Sequence, residues 1–578
     1  MKKLTFFFLL ITSLGGNIIP DSGTLLNNHS VGVSGVEAIQ PRERNSISVE
    51  DRQPSRPTRS SDVRIAVRSF RIFGDLKVFT EEEIQEMLSD FVGESQNMQS
   101  LDAALSAINE AYRGKGYLLA HCYFPPQDVT DGHIAIKIVE GVLDPNEGGI
   151  KVVGKNLRLD SGKISKIVRA SNPSGEPINR KNLERAVLLL SDFPGVKASA
   201  KLEPGSEEGT TRVEIETSEG KILHPWLAIN NAGNRYTGSV LAEAGVALKN
   251  LTTFGDELIL NYRKSLSDGA FDLGSLDYSG MLSSTGLKVG IRATRMVYEL
   301  GKDFEILDAK GTANILSLYS DYPIIRSART NLKAHASFDF AAFEDETVGI
   351  QLNESQIQTV RIGLSGDTVD LVGESGYTFG VLKLHLGEVD IKNPIAELLD
   401  QSPTGAHKQG NFKKLTFSAK RIQRMTPEIL LAARISGQWA DRNLDSSEKI
   451  HLGGLNGVRA YSASEGAGSS GVKLSTEAQY LFARGHRWLG DVRASVFYDW
   501  GRVRQYEDRY QIPLQTPNSY SLSGWGVALN FGKANAFQTY LAYSQRIGDN
   551  PGADPLTGYD ADGTKKTNRF WFSVRISF

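Results

Sequence analysis

Among its 578 residues the chain has a single cysteine, Cys122. That excludes an intramolecular disulfide and any multi-cysteine zinc or iron-sulfur site, and the lone thiol reads as a packing residue. An excess of either charge is also missing: Lys and Arg total 65 against 67 Asp and Glu, for a formal net charge of -2. The basic field of a nucleic-acid binder is therefore absent. After residue 15 no uncharged apolar run approaches the ~20 residues a membrane-spanning helix needs. Catalytic signatures are lacking as well. The nine histidines, at 29, 121, 133, 224, 335, 385, 407, 451 and 486, make no HExxH and no i, i+4 pair, and neither GxSxG nor GxxxxGK[ST] occurs. The acidic run Glu344-Asp345-Glu346 reads as a solvated loop. No catalytic residue, metal ligand or cofactor is expected.

Present instead are 57 glycines against 20 prolines, with 40% hydrophobic and 9% aromatic residues. This composition rules out disorder and favours many turns between closely packed strands. The N-terminus, Met1-Lys2-Lys3 followed by LTFFFLLITSL, is a basic then apolar leader. It predicts a secretory signal peptide over residues 1–20, with small-residue cleavage sites as late as 38. Residues 21–62 are polar, Pro-dotted and Arg/Ser-rich and read as a linker, in which a plug helix would fit only within Asn27 to Ile39.

Residues 63–142 and 147–220 carry one pattern twice. In the first, IAVRSFRIFG is a strand, TEEEIQEMLSDFVG and SLDAALSAINEAYRGKG are helices, and YLLAHCYFP and HIAIKIVEG are strands. In the second, GGIKVVGKN, SGKISKIVRAS, NRKNLERAVLLLSDFPG, VKASAKLEPG and TTRVEIETSEG repeat the order. Two tandem β-α-α-β-β units are expected, an α+β region built by repetition.

From residue 222 to 578 helical periodicity stops, and alternating segments of about ten residues follow, bounded by Gly, Asn, Asp and Ser. Candidate strands begin at Trp226, Val240, Leu258, Ala270, Leu287, Ala313, Thr330, Gln356, Tyr377, Phe412, Ile429, Val472, Gly490, Ser521, Ala536 and Asn568. Sixteen such strands predict an antiparallel transmembrane β-barrel. In the last, Phe570, Phe572, Val574, Ile576 and Phe578 share one face, and Trp571, Ser573, Arg575 and Ser577 the other, as lipid outside and a wet lumen inside require. In GDVRASVFYDWG the same alternation places Asp499 and Phe497 in the lumen. The Gly-rich stretch near 452–471 holds too many glycines for a packed strand.

Leader, linker, two repeats, sixteen strands, a VRxY loop and an FxDxG strand together resemble the TpsB transporters of two-partner secretion, ShlB/FhaC/HecB in type. These belong to the outer-membrane superfamily that includes the barrel-assembly insertase. The resemblance implies that the repeats are POTRA domains in the periplasm of a Gram-negative bacterium and that the Gly-rich loop folds back into the barrel. The family's VRGY motif falls on Val458, Arg459, Ala460 and Tyr461, and FxDxG on Phe497, Asp499 and Gly501. Arg459 and Asp499 would form the family's ion pair, partly wet and modest in energy. Ala460 stands where glycine is usual, a strained choice if φ there is positive. The text around Tyr322-Pro323 looks like the family's strand-turn-strand. Phe578, Ile576 and Phe572 would be the C-terminal signal read by the barrel-assembly machinery.

The resemblance further implies one partner above all, a large exoprotein of the TpsA kind, haemolysin or adhesin in type. It is met unfolded in the periplasm and passed through the barrel, with outer-membrane lipids around it and no nucleic acid involved. Client contact would fall in the first unit's helix-strand groove, at Leu118, Leu119 and Tyr123. Two other readings stay open. An assembly factor would carry more repeats than two, and a solute porin would need neither repeats nor loop.

Overall fold

The computed structural model describes residues 19–30, 47–49, 64–155, 157–267 and 269–578. The core of the expected signal peptide and most of the expected linker lie outside these residues. Two pieces of the 21–62 segment are nevertheless ordered elements: helix α1 (Ser22–Ser30) and strand β1 (Ile47–Val49). The helix begins before the window Asn27 to Ile39 in which a plug was expected.

The first unit comprises β2 (Ile65–Val67), β3 (Ser69–Phe73), α2 (Glu81–Leu88), β4 (Gly93–Gln96), α3 (Met98–Gly114), β5 (His121–Tyr123) and β6 (His133–Val139). Helix α2 starts in a reciprocal cap, with Glu83 N–H donating to Thr80 Oγ1 at 3.3 Å and Thr80 N–H to Glu83 at 2.8 Å. Asn97 and Ser100 cap α3 in the same way. Leu101, Ala104, Leu105, Ile108 and Tyr112 form the buried stripe of α3, and with Ile134, Ile136 and Ile138 of β6 they make the unit's core. Strand β6 lies centrally, parallel to β3 and antiparallel to β5. Two details depart from the expected β-α-α-β-β order. The first strand breaks at Arg68, and β2 pairs instead with the extra strand β4. The expected strand from Tyr117 shrinks to β5, leaving Leu118 and Leu119 in a turn.

The second unit holds β7 (Val142–Leu143), β8 (Ile150–Lys155), α4 (Ser161–Ser171), α5 (Arg180–Ser191), β9 (Val196–Pro204) and β10 (Thr210–Glu219). Strand β10 is parallel to β7 and β8 and antiparallel to β9, while β1 adds in parallel to the far edge of β9. Val142, placed by the sequence at the end of the first unit, therefore belongs to the sheet of the second.

Sixteen strands then close a barrel. They are β11 (Leu223–Asn230), β12 (Leu241–Lys249), β13 (Asp256–Ser265), β14 (Ala270–Met281), β15 (Lys288–Glu299), β16 (Lys310–Arg326), β17 (Thr330–Thr347) and β18 (Ile350–Asp370). After β19 (Ser375–Ile391) come a short helix, α6 (Pro394–Asp400), β20 (Gly410–Arg424) and β21 (Ile429–Ala440). A loop containing the two-residue strands β22 (Ile450–His451) and β23 (Ala467–Gly468) precedes β24 (Ser470–His486). The last strands are β25 (Gly490–Arg504), β26 (Ser519–Lys533), β27 (Phe537–Arg546) and β28 (Asn568–Ser577). Uniform ten-residue strands were expected; the observed lengths run from 8 residues in β11 to 21 in β18. The expected start at Gln356 accordingly lies well inside β18. Tyr322 and Pro323 sit within β16 rather than at a turn, where a register shift between Pro323 and Ile325 accommodates the missing proline N–H. Across the closing pair, Leu227 faces Ile576 and Ile229 faces Val574, so the outward apolar face continues around the seam.

The second unit is docked on the barrel's near turns. Lys163 Nζ donates to the carbonyls of Phe254 at 2.6 Å and Met281 at 2.8 Å. Arg326 forks onto Asp192 at 2.8 and 2.7 Å. These contacts mark the near end of the barrel and place the loops after β11, β15, β19, β21 and β27 at the opposite rim.

Candidate functional site

The loop from 441 to 469 leaves the far rim and turns inward. Its Val458, Ala460 and Tyr461 are buried with Leu452 against Val503 and Leu522 of the wall. At its tip Arg459 reaches four strands. Nε donates to Asp499 Oδ2 at 2.8 Å and Nη2 to Asp499 Oδ1 at 2.8 Å, a bidentate fork, and Arg459 N–H adds a third bond to the same carboxylate at 3.1 Å. Nη1 donates to Glu477 at 3.2 Å and to Tyr540 Oη at 3.1 Å, and Nη2 to Ser475 Oγ at 3.1 Å. The Arg459 carbonyl accepts from Ser544 Oγ and Trp571 Nε1, both at 2.7 Å. The guanidinium lies over the Phe497 ring at 3.3 Å.

This pair is not wet. Arg459 is 5% exposed and Asp499 1%, because Phe497, Tyr540 and Trp571 wall off the contact. The expectation of a modest, partly solvated tether is thus corrected: a dry pair with every donor occupied is strongly destabilised when one partner is removed. Ala460 is not among the non-glycine residues with positive φ, so alanine is unstrained there. Room for its methyl comes from the wall, where a Cβ on Gly524 would lie 2.6 Å from Ala460 Cβ. Gly501 is close to Leu452 and Val458 in the same way, at 3.0 and 3.4 Å.

Sequence reasoning named Arg459, Asp499 and Phe497 but missed Ser475, Glu477, Tyr540, Ser544 and Trp571. Alternation puts each on a lumenal face, which is a signal; nothing in the sequence ranks them above other lumenal residues. A second anchor was also missed. Glu448, in the turn Ser446–Glu448, pairs with Lys414 at 2.5 Å and lies 3.7 Å from Arg361.

Helix α1 lies inside the barrel against that turn. A Cβ on Gly23 would run into Ser446 Oγ and come within 2.7 Å of Ser447 N, so only glycine permits this approach. Asp345 accepts from Ser22 N–H at 2.9 Å, Ser22 Oγ at 3.0 Å and Tyr298 Oη at 2.8 Å. The acidic run read as a solvated loop therefore lies on β17, with its middle carboxylate buried in the lumen. Leu25 and Leu26 join a lumenal apolar cluster with Met296, Ala313 and Phe343.

In the first unit, Leu119 packs against the core of the second unit, and Tyr123 Oη donates to Glu208 at 3.0 Å. Neither is open on all sides, whereas β5 pairs, among the described residues, with β6 alone. Phe578 and Ile576 are exposed on the outward face of the closing strand, Phe572 is partly covered, and Phe578 N–H donates to the Pro225 carbonyl at 3.1 Å. No cluster of metal-ligating side chains occurs among the described residues.

A family model described as haemolysin secretion/activation protein ShlB/FhaC/HecB matches residues 209–531, more than half of the chain. The chain belongs to this family. A second model, the ShlB-type POTRA domain, matches residues 65–141. Among curated relatives, the heme/hemopexin transporter protein HuxB of Haemophilus influenzae (strain 86-028NP) is 26% identical over 498 residues, covering 86% of this chain and 84% of its own. The outer membrane transporter CdiB of Escherichia coli O6:K15:H31 is 22% identical over 442 residues, 74% of this chain and 71% of its own. Among solved structures, CdiB from Escherichia coli superposes with a TM-score of 0.70 at 16% identity, over 91% of this chain and 93% of that one. CdiB from Acinetobacter baumannii gives 0.64 at 15%, over 92% and 95%; these two likenesses concern the fold. As a ShlB/FhaC/HecB member the chain is an outer-membrane translocator of two-partner secretion, with its POTRA region in the periplasm and a cognate exoprotein as its partner.

Proposed function

We propose that the exoprotein is captured unfolded in the periplasm, displaces α1 from the lumen and slides past a loop that stays tethered through Arg459. The contrast between the two lumenal elements carries this reading. Loop 452–471 is fixed at its tip by a dry bidentate ion pair and by bonds to four strands. Helix α1 is held by the Asp345 bonds to Ser22, by Asn27, which donates to the Lys449 carbonyl, and by two leucines, and none of its described side chains makes an ion pair like that of Arg459. The weaker attachment is the removable one, and its removal opens a path beside the loop. Val458, Ala460, Tyr461 and Gly501 shape the seat of the loop, while Phe497 and Asp499 hold its arginine.

In the periplasm an extended client adds a strand at the outer edge of β5, through main-chain hydrogen bonds that make little demand on sequence; Leu118 and Tyr123 flank that edge. Movement outward is driven by client folding beyond the rim, with no catalytic step in this chain. Phe578, Ile576 and Phe572 present the outward aromatic and aliphatic strand end that the barrel-assembly machinery reads. Relatives carry different cargo in their names, heme/hemopexin in one and hemolysin in another, so the reading commits only to a large exported protein.

The test is a comparison of secreted and outer-membrane proteins in the native host with and without this chain. Loss of one large extracellular protein, its precursor retained or degraded in the periplasm, is the expected result. Depletion of many barrel proteins would make the chain an assembly factor, and altered small-solute uptake alone would make it a porin.

A further inference from the structure

The lumenal wall changes character along its height. On β15, β16 and β17 the inward side chains of the periplasmic half are polar: Arg292, Ser317, Tyr319 and Asp339 lie there, with Ser317 donating to Asp339 and Tyr319 to Asp277. Above them the same inward face carries an apolar band, bounded on the rim side by the Asp345 carboxylate and Tyr298 Oη. Register stacks Met296 beside Ala313 and Phe343, and places Ile315 beside Ala341. All five belong to or pack against the buried cluster that includes Leu25 and Leu26 of α1.

An aqueous channel gains nothing from such a band, and left bare it is a contiguous apolar patch of the kind that marks a binding surface. At rest α1 keeps it dry, with Leu25 fully buried. Yet α1 stands in the way of any chain crossing the lumen, so the band is uncovered whenever the path is clear. We propose that this band is a docking surface for the exoprotein in transit, taking neighbouring bulky aliphatic side chains of an extended segment, and that Leu25 and Leu26 are their resident stand-in. The inference rests on the translocation reading above and adds the chemistry the lumen selects.

Other occupants do not fit the geometry. Acyl chains are shut out by a wall of sixteen paired strands, and a second folded copy cannot enter. A polar segment would find its partners in the periplasmic half, where hydrogen-bonding groups are plentiful, and would gain nothing from Met296, Ile315 or Phe343. Sorting by polarity therefore makes the band a step in the path, at which an aliphatic stretch pauses near the exit and resists sliding back.

The test uses the full-length protein carrying Leu25→Ser with Leu26→Ser in planar lipid bilayers. Two unstructured Gly/Ser/Asn peptides are added on the POTRA side, identical except that one carries Leu-Leu where the other carries Ser-Ser. We expect the leucine peptide to block current at least about ten times longer per event, from the transfer of two partly covered leucines. Ile315→Ser and Phe343→Ser, each in a barrel of unchanged heat-modifiable mobility, should each shorten those blockades, and free peptide of the sequence Ile19–Ser30 should compete with them. Equal dwell times for the two peptides, or dwell times indifferent to both wall substitutions, would overturn the docking surface while leaving translocation intact. An open pore that neither peptide enters would overturn translocation itself, and this inference with it.

Discussion

Removing the Asp499 carboxylate strands a guanidinium that water cannot reach. Asp499→Asn should cost about 3–5 kcal/mol in loop docking, seen as new protease cleavage between residues 452 and 471 and as lost secretion. Arg459→Lys should not rescue the arginine's role, because a single ammonium cannot reproduce the fork onto Asp499 together with the bonds to Glu477 and Tyr540. The contact of Ala460 with Gly524 predicts a reciprocal pair: Gly524→Ala should loosen the loop, and Ala460→Gly added to it should restore docking, read as a double-mutant cycle on protease resistance. In the first POTRA domain, burial pushes the Cys122 thiol up to about 12. Maleimide labelling at neutral pH should therefore be slow until the domain unfolds. The sign follows from a raised folded value: the protonated thiol's share of stability is full below about pH 8.5, the unfolded value, and falls away as pH rises towards 12. The pair Arg459 and Asp499 was legible because motif and alternation both pointed to it. Its dryness was not, since that depends on Tyr540 and Trp571 arriving from strands far along the chain.

Elements differ in how much of their stability is local. Helices α2 and α3 announce themselves by caps and by a stripe of spaced apolar residues, and the element order of both N-terminal units follows from their repetition. Helix α1 does not: SGTLLNNHS has two adjacent leucines, no acidic first turn and 9 residues, too few to hold helical form alone. Its shape comes from the lumen that surrounds it, so sequence placed any plug further along. The close fit of Gly23 to Ser446 and Ser447 then predicts that Gly23→Val unseats the helix and leaves the barrel folded. Single-channel recordings should show larger and steadier conductance than the parent, with unchanged heat-modifiable migration. Strand number was legible from turn spacing. Strand length was not, because the extra residues of β16 to β19 face outward with polar side chains, so the apolar alternation that signals a membrane strand stops before the strand does.

At the scale of the molecule, the second N-terminal unit is clamped rather than hinged onto the barrel. Arg185 Nη2 donates to the Pro323 carbonyl at 2.8 Å, Asn250 Nδ2 to Glu219 at 2.9 Å, and the Arg326 fork holds Asp192. Arg326→Ala combined with Asp192→Ala should broaden the distance distribution between spin labels on α4 and on the β18–β19 turn, while each domain keeps its own thermal transition. Barrel and POTRA domains are legible separately in sequence. Their fixed relation is not, since it joins turn carbonyls that any residue supplies with side-chain pairs, Arg326 to Asp192 and Asn250 to Glu219, whose members lie far apart in the chain.

The unequal strands have a consequence in polymer physics. Strands β27, β28 and β11 span 10, 10 and 8 residues, against 17, 18, 21 and 17 in β16 to β19. The outward side chains near the rim of the long strands, among them Glu344, Glu354, Gln356 and Glu388, are polar, so the added length stands above the hydrocarbon as a parapet on one side. A flexible chain leaving beside a wall has fewer conformations than one leaving over open ground. An exoprotein emerging through the pore would therefore be pushed entropically away from β16–β19.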